Sequence, residues 1–382
     1  MFRPDYSGNG FLNLVASLVE AGGGRPRHAP LAALPARELR AATNIVFVIV
    51  DGLGDGYLRE HGLSGRGAGS LLAHRRGAMS AVFPSTTASA ITTSFTGASP
   101  LEHGLTGWFT YFSEAGCVGA PLPFQRRAER TALAVDPARL FAERSLFDGL
   151  TVRSIVVSWD KIIGSAYNVH HCGGAERLAY ADLEGFLAQT VRAVRSGGGR
   201  KFVYAYWPDF DSLAHQHGVG SAEVRAHFEA LDAAFAELLA RLAGTDTLIV
   251  LSADHGFVDC PKDEAIELPP ALAAQLRFPL CGERRVAFCH VQDRKAFIAE
   301  ARSRFEHRAD VRLSRELLDE GWFGPGRPHP HFAERIGDVA LVMNGRATVK
   351  DWLPGEPRHL HIGNHGGTSE DEMTIPLVVA KL

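Results

Sequence analysis

Asn44–Val50 (NIVFVIV) is an unbroken apolar run rich in β-branched residues, and it ends at Asp51-Gly52. Such a run, without polar alternation, predicts a strand buried on both faces, as in a parallel sheet. Ser154–Ser158, Phe202–Tyr206 and Thr247–Ser252 predict further strands of the same kind, and Ile375–Ala380 a last one. Before Thr247, the residues Val224, Phe228, Leu231, Phe235, Leu238 and Leu242 recur at intervals of three and four, with Glu223, Arg225, Glu229 and Asp232 off that stripe. This spacing predicts a long helix with one apolar face. Strands alternating with helices imply βαβ units, and so an α/β fold with a central, mostly parallel sheet sandwiched by helices. Phe11–Ala21, interrupted by Asn13, Ser17 and Glu20, predicts a short amphipathic helix.

Glycines mark the joints. Gly65–Gly69 (GRGAG) and Gly197–Gly199 read as loops. From Cys260 to about Leu360 the pattern changes to an alternating segment (Arg284–Val291), a helix (Asp293–Phe305), a Pro/Gly/His stretch and a short strand (Asp338–Met343). The expected organisation is a catalytic core over 1–259, a small α+β insertion or lid over 260–360, and a return to the core over 361–382.

Composition narrows the classes. The 382 residues carry 40 Lys+Arg against 43 Asp+Glu, a net charge of −3, with no long basic run, so there is no electrostatic footprint for nucleic acid. No apolar run approaches the roughly 20 residues of a membrane span, and the N-terminal segment lacks the order of a signal peptide. Five cysteines without CxxC spacing argue against a disulfide framework or a thiolate zinc site. The expectation is a cytoplasmic protein with free thiols.

The candidate chemistry gathers at strand ends, where open α/β sheets bind ligands. Asp51 follows the first strand; read alone, it equally suits a helix cap. Asp211 and His215 lie four apart, one helical turn, as a two-ligand metal grip requires, or as a capping Asp and a surface His. Asp209 and His217 beside them read as bystanders. Asp254-His255-Gly256 sets two metal-competent ligands at a strand end, before a glycine that lets the backbone turn away. His365 lies in GNHGG, whose glycines imply close approach to something. Between the first two motifs, Pro84–Gly104 offers Ser85, Thr86, Thr87, Ser89, Thr92 and Thr93, as caps or as a metal-activated nucleophile. Three Asp, three His and one hydroxyl, without thiolates, favour zinc, manganese or a similar ion. Seven ligands are too many for one tetrahedral zinc and suit two metals, the apparatus of in-line displacement at phosphorus.

In this order, Asp, Thr, Asp-x-x-x-His, Asp-His, His resembles the alkaline phosphatase superfamily, and most closely its type I phosphodiesterase / nucleotide pyrophosphatase family. The resemblance spans about Asn44–Leu382. It implies a nucleophilic threonine sixteen residues before the His of a T-G-x-x-P-x-x-H-G element. Here that element is Thr96–Gly104, so the count from His103 gives Thr87, with Thr86 as fallback. By the same carry-over, Asp211, His215 and His365 would hold one metal and Asp51, Thr87, Asp254 and His255 the other, usually zinc. The implied mechanism is attack by a Thr87 alkoxide on phosphorus, with one metal stabilising the departing oxygen, then hydrolysis of a phosphothreonine by metal-activated water.

The sequence departs from the family at one place. The asparagine expected five residues after the HG histidine is Trp108, which suits either a stacking wall beside the metals or packing under a loop. Tyr111 shares those alternatives, and Lys161 lies at a strand end from which the pocket is within reach. No Arg or Lys stands out beside the nucleophile, which leans toward diesters. His170-His171-Cys172 stays outside the site, and His329 and His331 read as surface histidines. The expected activity is a phosphodiesterase or nucleotide pyrophosphatase acting on a small phosphate ester or nucleotide-like substrate. The alternatives are a phosphomonoesterase or a phosphonate hydrolase of the phosphonoacetate type, and, from another class, a non-catalytic binding protein.

Overall fold

The computed structural model describes residues 1–63 and 69–382; apart from Gly69, the loop expected at Gly65–Gly69 lies outside the described residues. Seven strands form the central sheet: β1 (Asn44–Val50), β2 (Arg75–Ser80), β3 (Arg153–Trp159), β4 (Glu176–Tyr180), β5 (Lys201–Trp207), β6 (Thr247–Ser252) and β7 (Thr374–Lys381). Their order is β2-β7-β6-β1-β5-β3-β4. β1 pairs in parallel with β5 and β6, and β3 in parallel with β5 and β4. Only β7 runs against its neighbours β2 and β6. All residues of β1, β5 and β6 are buried, as runs without alternation require.

Helices flank this sheet, among them α1 (Phe11–Ala21), α2 (Thr87–Thr96), α3 (Asp209–His217) and α4 (Ala222–Arg241). α4 buries Val224, Phe228, Leu231, Phe235 and Leu238 as its spacing demands, but Asp232 is also buried. Its carboxylate accepts the backbone N–H groups of Ser70 and Leu71 at 3.1 and 2.7 Å. α1 departs further from expectation, because Asn13 and Ser17 do not face water. Asn13 accepts from the N–H groups of Gly8 and Gly10 and donates to the carbonyls of Tyr6 and Ala29, while the Ser17 hydroxyl accepts from Leu31. The polar residues of α1 therefore satisfy the chain folded over it. No described helix is long and apolar enough to cross a membrane.

Between β6 and β7 the chain builds a four-stranded antiparallel sheet in the order Cys281–Gly282, Val286–Cys289, Val339–Met343, Ala309–Leu313. Alternate residues of its strands serve two cores. Ala287, Cys289, Leu341 and Met343 pack with Phe297, Ala301 and Phe305 of α5 (Arg294–Phe305). Val286, Phe288, Ala340 and Val342 pack with Phe83, Leu101 and Phe323. The second face joins this sheet to the main body beside α2. All five cysteines are free.

Candidate active site

β5, β1 and β6 are adjacent, and their carboxyl ends deliver the three acids. Asp51 follows β1 directly, Asp254 follows β6, and Asp211 lies in the first turn of α3 after β5. Gly52 has φ +79°, and a Cβ there would stand 2.4 Å from the Phe257 ring, so the turn that exposes Asp51 needs glycine. Gly256 meets the same demand more severely, since its Cβ would lie 2.0 Å from the Asp371 carbonyl oxygen.

The side chains form two adjoining groups. In one, Asp211 Oδ1 lies 3.4 Å from His215 Nε2 and 3.7 Å from His365 Nε2, and the two Nε2 atoms are 3.2 Å apart. In the other, His255 Nε2 lies 3.3 Å from Asp51 Oδ1, 3.5 Å from Asp254 Oδ2 and 3.2 Å from Thr87 Oγ1. The His255 and His365 rings stack between the groups, centroids 3.7 Å apart. Tetrahedral ligands about 2.0–2.1 Å from one ion stand about 3.3–3.4 Å from each other, so both groups have metal-ligand spacing.

Three buried carboxylate oxygens, Asp51 Oδ1, Asp211 Oδ1 and Asp254 Oδ2, have no hydrogen-bond partner. Among the described residues, the only ion-pair-range partners of these acids are the three histidines. Burial opposes charge on all of them. It pushes Asp51 up to about 6, against hydrogen bonds from Tyr206 and others, and Asp254 up to about 8, reinforced by the Asp51 charge. Asp211 is raised well above its ordinary value by burial and then by Asp51 and Asp254. Burial holds His215 down to about 3 and His365 well below its ordinary value, so both are neutral with free lone pairs. Each histidine fixes its ring by an Nδ1 contact to a backbone carbonyl: His215 to Gly363, His255 to Gly256, His365 to Ser85. That leaves Nε2 for a ligand, the usual orientation of metal-binding imidazoles. Orphaned acceptors, neutral histidines and uncompensated negative charge together fit divalent cations.

Thr87 is the first residue of α2, half-buried, with its hydroxyl toward this cluster. The helix N-terminus supplies backbone N–H groups and positive potential for an anion there. Thr86 points elsewhere: its hydroxyl donates to Glu283 Oε1 at 2.5 Å. The same oxygen accepts the Trp108 backbone N–H at 2.6 Å. Glu283 lies in the turn between the strands Cys281–Gly282 and Val286–Cys289 and reaches in past Gly366, where a Cβ would stand 2.6 Å from its own Cβ. The close approaches implied by the glycines around His365 are to this residue at Gly366, to the Ala214 carbonyl at Gly363 and to the Glu372 carboxylate at Gly367.

Residues 45–368 match the model of the type I phosphodiesterase / nucleotide pyrophosphatase family. The chain belongs to this family. It is metal-dependent, and its members are phosphoric ester hydrolases. Among solved structures, murine ectonucleotide pyrophosphatase / phosphodiesterase 5 is 16% identical over 87% of each chain, with a TM-score of 0.66. Phosphonoacetate hydrolase from Sinorhizobium meliloti 1021, in complex with phosphonoformate, is 17% identical over 89% of this chain and 90% of that one, also at 0.66. At such identities the likeness is one of fold.

The cavity over these clustered side chains measures about 450 Å³. Trp108, at 43% exposure, lines it. Tyr111 and Lys161 do not. Tyr111 stacks on Phe278 at 4.1 Å, where both rings pack against the core that includes Val286 and Phe288. Lys161 lies over the Trp159 ring at 4.4 Å, beyond β3, which is two strands from β1. Asp209 and His217 stay outside both ligand groups, and His217 lies 3.8 Å from Glu223. His171 stacks on Phe95 in the core. His331 is at the surface, but His329 is 4% exposed, because the Pro-rich stretch packs against Leu101 and Arg335. Cations are present elsewhere in the cavity: Arg127, Arg284 and Lys350 line it. Reading strand by strand missed these residues and Glu283, since Glu283, Arg284 and Lys350 arrive from the 260–360 segment and Arg127 from just after the short strand Gln125–Arg126. The signal was present in Glu283-Arg284-Arg285, three charges on the approach to an apolar strand.

Proposed function

We propose that this protein is a two-metal phosphodiesterase in which Thr87 is the nucleophile. The observation that carries the reading is the convergence of three orphaned carboxylate oxygens and three histidine Nε2 atoms beside the Thr87 hydroxyl. Asp211, His215 and His365 would hold one divalent ion and Asp51, Asp254, His255 and Thr87 the other, zinc or manganese by the chemistry of the donors. Such ions, when bound, act as Lewis acids that ease deprotonation of a hydroxyl and stabilise charge on a departing oxygen.

Thr87 Oγ1 attacks phosphorus in line, the P–O bond to the leaving group breaks on the opposite face, and water then hydrolyses the phosphothreonine to restore the hydroxyl. The first-turn N–H groups of α2 orient the phosphoryl oxygens and stabilise their growing charge. Gly363, Gly256 and Ser85 carbonyls keep the imidazoles turned to their task. Glu283 favours a diester over a monoester, because a carboxylate beside Thr86 and the Trp108 amide repels a phosphoryl dianion more than a monoanion.

Asp254→Ala tests the reading through metal content and hydrolysis of bis-p-nitrophenyl phosphate. Loss of both is the expected outcome; full metal content with an unchanged rate contradicts it.

A further inference from the structure

The cavity wall opposite the proposed metal ligands comes from residues 108–130 and from the inserted segment, and its charges are unevenly matched. Arg127 is bonded to Asp351 at 2.6 Å and to Glu356 at 3.0 Å. Arg285, facing away from the cavity, is paired with Glu372 at 3.0 Å. Arg284, between Glu283 and that pair, lines the cavity with one hydrogen bond, to the His359 carbonyl at 3.0 Å. Among the described residues no carboxylate stands within ion-pair distance of it. Lys350 lies near it on the same wall, its Nζ 4.9 Å from the Trp352 ring centre and 3.6 Å from Glu356, a carboxylate already bonded to Arg127.

We propose that Arg284, with Lys350 beside it, binds a second anionic group on the organic arm of the substrate, a carboxylate or a second phosphoryl group. This rests on the phosphodiesterase reading and narrows its substrate class. Three observations support it. A partly buried guanidinium with no carboxylate in contact, only the charges of Glu283 and Glu356 farther off, is costly to keep unless an anion visits it. The site is close to the reaction centre: the His215 ring lies 4.3 Å from His361, His361 lies 5.2 Å from His359, and the His359 carbonyl holds Arg284. The cavity also carries charges of both signs, the Glu283 carboxylate next to Thr86 and the cations Arg127, Arg284 and Lys350, while Trp108, Phe109 and Trp352 offer apolar surface for an arm. Burial also lowers Lys350 to about 8, a group that a bound anion would keep protonated.

The test is calorimetric titration of the metal-loaded enzyme with four phosphonates of equal arm length: propylphosphonate, 3-carboxypropylphosphonate, propane-1,3-bisphosphonate and 3-aminopropylphosphonate. A charge-assisted contact predicts that the carboxylate or the bisphosphonate binds about tenfold tighter than propylphosphonate, and the amine more weakly. Whichever anion wins identifies the group. Arg284→Gln should erase the advantage, and Arg284→Lys should keep part of it. Equal affinities for all four, no binding of any, or an advantage that survives both Arg284→Gln and Lys350→Met would overturn the proposal. Failure of the phosphodiesterase reading appears separately, as absence of bis-p-nitrophenyl phosphate hydrolysis in protein that still ranks the phosphonates as expected.

Discussion

Glu283 is the residue whose chemistry most changes the picture of the site. Burial raises the pKa of its carboxylate, and the hydrogen bonds it accepts from the Thr86 hydroxyl and the Trp108 amide oppose that rise by favouring the charged form. Glu283→Gln keeps the shape and removes the repulsion. The ratio of kcat/KM for p-nitrophenyl phosphate over bis-p-nitrophenyl phosphate is therefore expected to rise about tenfold or more, since even about a third of the roughly 4 kcal/mol between two unit charges in contact at an effective dielectric near 20 gives that factor. An unchanged ratio would show that Glu283 only supports the Trp108 loop. The ligand-type side chains were legible one by one because each follows an apolar strand or sits at helical spacing, as in Asp51, Asp254-His255 and Asp211…His215. Glu283, Arg284 and Lys350 were not, since their relation to Thr87 exists only after two distant segments pack together.

At the scale of elements, the inserted sheet is tied to the His365 loop by a bidentate pair. Arg285 Nε and Nη2 meet Glu372 at 3.1 and 3.0 Å, both residues are fully buried, and Glu372 also accepts the Gly367 N–H at 2.8 Å. Arg285→Met leaves a buried carboxylate unpaired, so urea unfolding is expected to show a loss of about 3–5 kcal/mol. The double variant Arg285→Met/Glu372→Gln should recover much of that loss, because the amide oxygen still accepts from Gly367. Equal losses in both would mean that shape, not charge, is what the pair supplies. The strands of the main sheet were readable from unbroken apolar runs, whereas α1 misled, since its Asn13 and Ser17 face backbone instead of water. The small sheet was visible as alternation, but the burial of both its faces was not.

For the whole molecule, three buried acids with raised pKa values make the metal-stripped protein sensitive to pH. A carboxylate whose folded pKa lies above its unfolded value stabilises the fold below the unfolded pKa, and that contribution disappears as pH rises through the folded one. Asp254, at about 8, thus weakens the stripped protein as pH rises toward 8, and Asp211, also raised, acts in the same direction. His215, depressed to about 3, contributes nothing to this window, because it is neutral there in both states; it costs stability only as pH falls below about 6.5. The melting temperature after chelation is expected to fall across pH 6.5–8.5, and the gap to the metal-loaded protein to widen, as proton release on metal binding requires. A gap independent of pH would count against metals at these acids. The central claim is that Thr87 is the nucleophile of a metal-dependent diesterase. It is tested most directly by bis-p-nitrophenyl phosphate hydrolysis with metal-loaded wild type and Thr87→Ala, at equal metal content. The account predicts a rate lower by about a thousandfold or more in the variant; equal rates would contradict it.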